Sequence, residues 1–585
     1  MSFRYPALVF SLSFFFTACG HRESGPPRRY AVVGFENLSG DSSLDWAGRG
    51  AAEFLSRSLQ GAIDGSVLSQ EAVARAGQSL GSHPAGAPGI SASRAGALVA
   101  GANHIVSGYI ERTPAGIRIA ATDEDAASHR TARTLSVTAS SAFDAMDRLA
   151  HLFSDKAGPP PTGNAEAFRL YSTALGNAAA GGVPLLERAV TLDPSFGRAW
   201  VALARVVALS DRAAAAAVIA RARERKLAPV DLAWLDFESA ALDGDRTGTL
   251  AAMRRLSGFD AGDTGLARSL AEAETSAGNF SQAAAVWKRL TVSNPGDVNA
   301  WNQLGYTLCW SGDYTGALAA LREYARLHPG DPNPLDSQGD VHYWFGKFSE
   351  AAASYAAAYA KMPGFLNGGE LYKGAWARFL GGDKTGADAL FAKFREARDK
   401  AGDPNIGILA GDWLYRTGRE KEASALLRAA LKNAPEKKDA AAAEPAVRAG
   451  TAAQLAVWDL LDGDRSAAAK DIGEGGGSNL APVDVLVWIA AMPSATVSEW
   501  EARTARILAA PQLAGLRPIA LGYSLMLDGQ KQAALPVWEE VVKQSPGSDF
   551  FPRAVLMRLK GQPVEHLSPP DSVSLNRFAA VLGKL

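Results

Sequence analysis

Two cysteines in 585 residues, Cys19 and Cys309, cannot build a disulfide framework, and a chain of this length needs none because it can extend its own core. Cys309 stands beside Trp310 with no histidine in its repeat unit before His328, so it reads as a packed thiol rather than a nucleophile. Charge of either sign is not in excess. Sixty Lys and Arg face 61 Asp and Glu, for a net charge of -1, which excludes the basic stripe that nucleic-acid binding needs. The run Arg221-Ala222-Arg223-Glu224-Arg225-Lys226 reads as the solvated face of a helix. After residue 20 no apolar run is long enough to span a bilayer. Catalytic signatures are also missing: the eight histidines are scattered, and no His-Glu-x-x-His, Cys-x-x-Cys, Gly-x-Ser-x-Gly or Walker-type run occurs. No catalytic residue, metal or cofactor is therefore expected. Asp243-Gly244-Asp245 and Asp462-Gly463-Asp464 begin like calcium loops, but the other ligand spacings fail and turns are expected there. Gly475-Gly476-Gly477 lacks a following Lys-Ser/Thr and reads as a linker rather than a phosphate cradle.

What the chain does have is a period. Pro295, Pro329 and Pro363 stand 34 residues apart, and Gly278-Asn279-Phe280, Gly312-Asp313-Tyr314 and Gly346-Lys347-Phe348 precede them in one register. Ala283, Ala317 and Ala351 follow each Gly by five residues, and Trp287, Leu321 and Tyr355 come four later. Leu270-Ala271, Leu304-Gly305 and Gln338-Gly339 hold equivalent places in the preceding helix. The small residues let two helices approach, the large ones fill the groove between them, and the prolines end the second helix. The register extends through Gly418, Ala423, Leu427, Ala430 and Pro435, and again through Gly529, Ala534, Trp538, Val541 and Pro546. This pattern resembles the tetratricopeptide repeat, and the resemblance implies an α-solenoid over 164–560, with 561–585 as a cap or tail.

Residues 1–18 carry an apolar run from Ala7 to Phe16 of about ten residues, the size of a signal-peptide core. Thr17-Ala18-Cys19-Gly20 resembles a bacterial lipobox. That resemblance implies lipidation of Cys19, a linker over 19–28, and attachment to the cell envelope. In a Gram-negative cell this would be the outer membrane or periplasm, and plain secretion is the alternative.

The segment 29–158 reads as α/β. Strands are predicted over Tyr30–Phe35, His104–Arg112, Gly116–Thr122 and Thr131–Thr138. Helices are predicted from Leu44 to Ile63, Ser91 to Ala100 and Ser141 to Lys156, with Asp41 or Ser42 as cap of the first. Ala31-Val32-Val33-Gly34-Phe35-Glu36-Asn37-Leu38-Ser39-Gly40-Asp41, with Gly101 to Ile110 and Ile117 to Ile119, resembles the TolB-like N-terminal domain. Relatives of that kind are often fused to cyclase, kinase or winged-helix domains, for which this chain has no room.

The fold class expected is thus mainly α, a tetratricopeptide-type solenoid preceded by a small α/β domain. The function expected is that of a non-catalytic envelope scaffold, lipid-anchored, binding a protein or peptide partner but no nucleic acid. In such arrays the first helix of each repeat lines the concave face. Its positions free of packing are Asn299, Asn302 and Tyr306, then Asn333, Asp336, Asp340 and Tyr343, a set suited to the donors, acceptors and side chains of an extended peptide. The alternative is a sensory protein whose α/β domain binds a small ligand at Asn37, Ser39, Gly40 and Asp41, although an ordinary strand-to-helix turn uses the same residue types.

Overall fold

A computed structural model describes residues 28–78, 90–176, 181–260, 262–433, 443–475, 516–544, 547, 550–564, 566–570 and 578–584. The signal and lipobox segment with Cys19, the linker up to residue 27, Pro435, Gly476, Gly477 and Pro546 lie outside them. The chain divides into two compact units, 1–244 with 260–265, and 245–259 with 266–585.

The first unit opens with the α/β segment. Its strands are β1 (Arg29–Val32), β2 (Glu36–Asn37), β3 (Ser66–Val67), β4 (His104–Thr113), β5 (Gly116–Asp125) and β6 (Arg130–Ala139). They form a sheet of order β3-β1-β4-β5-β6, with β2 also paired to β4. The long strands β4 to β6 are antiparallel neighbours, as the hairpin at Pro114-Ala115 predicts, while β1 runs parallel to both β3 and β4. Helices α1 (Asp45–Ser58), α2 (Gln70–Gln78), α3 (Ile90–Val99) and α4 (Ala142–Phe153) accompany the sheet. Asp41 caps the single 3-10 turn Ser42–Leu44 that leads into α1, its Oδ1 accepting from the Ser43 amide at 2.9 Å. Ser141 caps α4 in the same way through the Asp144 amide.

Helices α5 (Ala165–Ala174), α6 (Gly182–Leu192), α7 (Gly197–Ala208), α8 (Arg212–Arg223) and α9 (Pro229–Asp243) complete this unit. The change from α/β to all-α sequence falls between α4 and α5, but the core does not change there. Phe54 of α1, Phe143 of α4 and Phe168 of α5 meet edge to face with centroids 5.4–5.7 Å apart. Phe168 in turn touches Phe196 at the entry to α7.

In the second unit α10 (Arg246–Phe259) and α11 (Thr264–Ser276) are followed by paired helices in regular alternation. These are α12 (Phe280–Ser293), α13 (Val298–Trp310), α14 (Tyr314–Leu327), α15 (Asn333–Trp344), α16 (Phe348–Lys361), α17 (Gly369–Leu380), α18 (Lys384–Lys400), α19 (Ile406–Arg416), α20 (Glu420–Asn433), α21 (Ala443–Leu461) and α22 (Arg465–Glu474). Further helices span Arg517–Leu527, Lys531–Gln544 and Phe551–Leu559.

The periodic residues do what their spacing predicts. A Cβ on Gly305 would lie 2.8 Å from the Leu321 side chain, on Gly411 2.9 Å from Leu427, and on Gly522 2.7 Å from Trp538. Each large residue stands sixteen positions after its glycine, so one steric rule spaces the helices along the solenoid. The turns at Gly312 and Gly346 require left-handed backbone, with φ of 93° and 68°. The Asp-Gly-Asp turns are also structural: Gly244 is left-handed at the end of α9, and Asp245 and Asp464 accept from the Gly248 and Ala467 amides, each at 2.9 Å. No helix among the described residues is long and apolar enough to cross a membrane.

Candidate functional site

Helices α13, α15 and α17 present a shared polar face in the second unit. At its centre Asp340 accepts from the hydroxyls of Tyr306 and Tyr355, both at 2.8 Å, and lies 2.9 Å from Lys373 Nζ. Lys373 also reaches Asp336 Oδ2 at 2.8 Å, and Ser337 donates to Asn302 Oδ1 at 3.0 Å. Burial opposes the charge on Lys373, but Asp340 and Asp336 outweigh it and hold the ammonium above its ordinary pKa. Burial and the neighbouring carboxylates push the Tyr306 and Tyr355 hydroxyls well above their usual range, so both remain donors.

Glu370 extends this charge cluster. Its residue is 1% exposed, and neither carboxyl oxygen meets a hydrogen-bond partner among the described residues. Burial, with Asp336 and Asp340 nearby, raises its pKa to about 7.

Beside the cluster is a cavity of about 420 Å³, walled by Tyr306, Trp310 and Trp344, floored by Asp340 and Lys373, and lined also by Cys309. Tyr306 stacks on Trp310 with centroids 5.6 Å apart. Cys309 is 2% exposed and burial pushes its thiol up to about 12, so it is an inert packed thiol, as its sequence context implied. Part of the cavity wall comes from the chain's own C-terminal stretch. Ser568 and Pro569 line it, and the His566 ring stacks on Trp344 at 5.2 Å and 13°. His566 Nδ1 lies 2.8 Å from the Trp344 carbonyl oxygen. Phe550 packs edge to face on the same indole at 4.4 Å.

The residues expected on the binding face divide into three groups. Asn299 is exposed. Asn302, Tyr306 and Asp340 are half-buried and belong to the network beside the cavity, while Asn333 is turned to the Tyr324 hydroxyl at 3.1 Å. Asp336 and Tyr343 are not outward positions: they are 3% and 6% exposed. Lys373 covers Asp336 near the start of α15, and the Phe348 ring packs on Tyr343 near its end with centroids 5.4 Å apart, because the following helices pack on α15. Sequence reasoning missed Trp310, Trp344, Lys373, Glu370 and His566. The two tryptophans carried a signal, since they fall at equivalent places in successive first helices.

The loop of the α/β segment satisfies itself. Asn37 donates to the Asp41 carbonyl at 2.9 Å and to Asp45 at 2.7 Å, and accepts from the Ser39 amide at 3.1 Å. Arg112 donates to Asp41 at 2.6 Å, and Gly40 takes a left-handed φ of 70°. These groups make the strand-to-helix turn, and their polar atoms are largely spent on one another.

Among known proteins, the tetratricopeptide repeat family matches residues 268–332. No curated protein matches the sequence. Among solved structures, a crystal structure of MamA aligns at 18% identity over 30% of this chain and 93% of that one, with a TM-score of 0.26. MamA from Desulfovibrio magneticus RS-1 aligns at 16% identity over 30% and 97%, with a TM-score of 0.25. YrrB, described as a TPR protein with an unusual peptide-binding site, aligns at 14% identity over 32% and 95%, with a TM-score of 0.27. The periodic residues, the stacked helix pairs and the family match together make this a tetratricopeptide-type solenoid behind a small α/β segment.

Proposed function

We propose that this protein is a non-catalytic scaffold that holds an extended peptide segment of a protein partner along α13, α15 and α17, and that lipid on Cys19 ties it to the cell envelope. Tetratricopeptide solenoids act by presenting such surfaces to peptides and proteins. The observation that carries the peptide reading is the seating of residues 566–569 against this face. A non-helical stretch already sets a ring on Trp344 and places a Ser-Pro pair in the cavity beside Asp340 and Lys373. The face therefore accepts non-helical backbone, and Glu370 keeps two buried carboxyl oxygens beside Asp336 and Asp340. The reading supports a partner segment with an aromatic or imidazole ring followed by proline.

The test uses the full-length chain with His566→Ser and Pro569→Gly, which loosens the resident stretch without touching the solenoid. A peptide copying residues 562–570 competes in the native chain with a tethered segment at high effective concentration. The loosened variant should bind it at least about tenfold more tightly, roughly 1.4 kcal/mol. Adding Trp344→Ala should remove that gain. Equal, weak binding by native and loosened chains would move the partner surface elsewhere.

The anchor is tested separately. Each acyl methylene placed in the bilayer contributes about 0.8 kcal/mol, so a multiply acylated Cys19 holds firmly. Cys19→Ala should move the protein from the membrane to the soluble fraction. Unchanged fractionation of the variant would remove the lipid from the proposal.

A further inference from the structure

The α/β segment has a second cavity, of about 410 Å³, at the end of β1 away from the Asn37–Asp41 turn. Strand register assembles it. Parallel pairing of β1 with β4 sets Tyr30 beside His104, their rings 4.7 Å apart, and antiparallel pairing of β5 with β6 sets Asp123 opposite Arg133. The ladder then slips: Asp123 pairs with Arg133 but Glu124 pairs with Thr131, which leaves Ala132 as the extra residue of a β-bulge on the cavity wall. Bulges bend a strand and re-aim its side chains, and they recur beside functional sites.

The side chains so aimed form one relay. Asp123, 2% exposed, holds His104 Nδ1 at 2.9 Å with one oxygen and Arg133 Nε at 3.2 Å with the other. Where Nδ1 donates to this carboxylate, Nε2 faces away from it as an acceptor in the neutral ring and as a donor in the imidazolium. Arg133 is further fixed by the Phe153 carbonyl at 3.1 Å and by the Phe153 ring, 4.6 Å below the guanidinium. Its Nη2 has no partner among the described residues. Arg28, exposed and bonded to the Tyr30 hydroxyl, adds a second guanidinium to the lining, which also includes Asp64.

The same geometry argues against a hydrolytic centre. Ser154 lies in the cavity, but its hydroxyl donates to the Ala62 carbonyl at 2.6 Å and accepts from the Lys156 amide at 3.2 Å, so it is not presented to His104 as a nucleophile. What remains is one positioned donor, the Arg133 guanidinium, with His104 Nε2 able to donate only when the ring is an imidazolium, beside an apolar wall of Phe153, Tyr30 and Ile63. The size is that of an ordinary small-molecule pocket, about 300–1,000 Å³.

We propose that this cavity binds a small organic anion, its carboxylate or phosphate group seated on the Arg133 guanidinium and on His104 as the imidazolium, with Arg28 at the mouth and its apolar part on Phe153 and Tyr30. Asp123 is the positioning residue. The site is independent of the peptide face, and either can fail without the other.

Calorimetric titration of the full-length protein with phenyl phosphate and with benzoate, at constant chloride, tests the proposal and separates the two anion chemistries. Saturable one-to-one binding of at least one probe is expected. Arg28→Gln, an exposed change that spares the Asp123 contacts, should weaken that binding by at least about fivefold. His104→Gln, checked for folding by circular dichroism, should weaken it further. No saturable binding of either probe at millimolar concentration would overturn the proposal. So would binding that both folded variants leave unchanged.

Discussion

Arg198→Met is expected to cost the first unit about 3–5 kcal/mol, the scale for stranding buried carboxylates by removing their cation. Arg198 enters α7 with its side chain 10% exposed, lies 3.5 Å from Glu53 of α1, and donates a hydrogen bond to Glu71 of α2. Tyr171 of α5 adds a donor to Glu53 at 3.3 Å. Burial pushes the Glu53 carboxyl above its usual range against the pull of Arg198, whereas at Glu71 burial is outweighed by Arg198 and Arg205, and its carboxyl stays below. Methionine fills similar volume but leaves both carboxylates without this cation. Chemical denaturation should show the loss, and Glu53→Gln with Glu71→Gln in the same background should recover most of it. Because these helices belong both to the α/β segment and to the first helical repeats, amide exchange should rise in α1, α2 and α7 together. A loss below about 1 kcal/mol would mark the cluster as one that water already screens.

That cluster also shows where the sequence stopped being readable. The repeats were legible because their rule is local: a small residue, a large one sixteen positions later, and a glycine turn between them, each meeting its partner within one unit. Strands β4, β5 and β6 were legible for a similar reason, since each is ten residues long and the turn between the first two is short. Helix α2 was not, because it is short and only Ala72 and Val73 are buried along it. The candidate site was half legible. Tyr306 and Asp340 were found from their places on the first helices of successive repeats, but Lys373 lies 33 residues from Asp340 and reaches it only after an irregular turn. In that turn Leu366 and Asn367 take left-handed backbone, with φ of 44° and 53°, just before α17. Nothing in a helical projection of α15 predicts that Asp336 is then covered. The meeting of His566 with Trp344 spans 222 residues, beyond any repeat rule.

Lys373→Met should have the larger consequence for the second unit, and its pH dependence identifies the cause. Lys373 is the cation between Asp336 and Asp340, at 2.8 and 2.9 Å, and its side chain is 14% exposed. Its removal leaves two carboxylates beside Glu370 in a site of low dielectric, a loss of about 3–5 kcal/mol near neutral pH. The folded variant can relieve the repulsion by taking up a proton on one of these carboxyls, whose folded pKa then lies above the unfolded value of about 4. Between those two values the folded state binds more protons than the unfolded state, so the variant loses stability as pH rises through the folded pKa. The deficit relative to the native protein should therefore be largest above neutrality and shrink towards pH 5. Asp336→Asn in the same background should flatten the profile, because one of the competing charges is gone. Urea denaturation at several pH values reads the effect directly. In a solenoid the damage should stay local, with amide protection falling in α13, α15 and α17 while α1 to α4 keep theirs. A deficit that does not change with pH would assign the loss to missing packing of the lysine stem rather than to stranded charge.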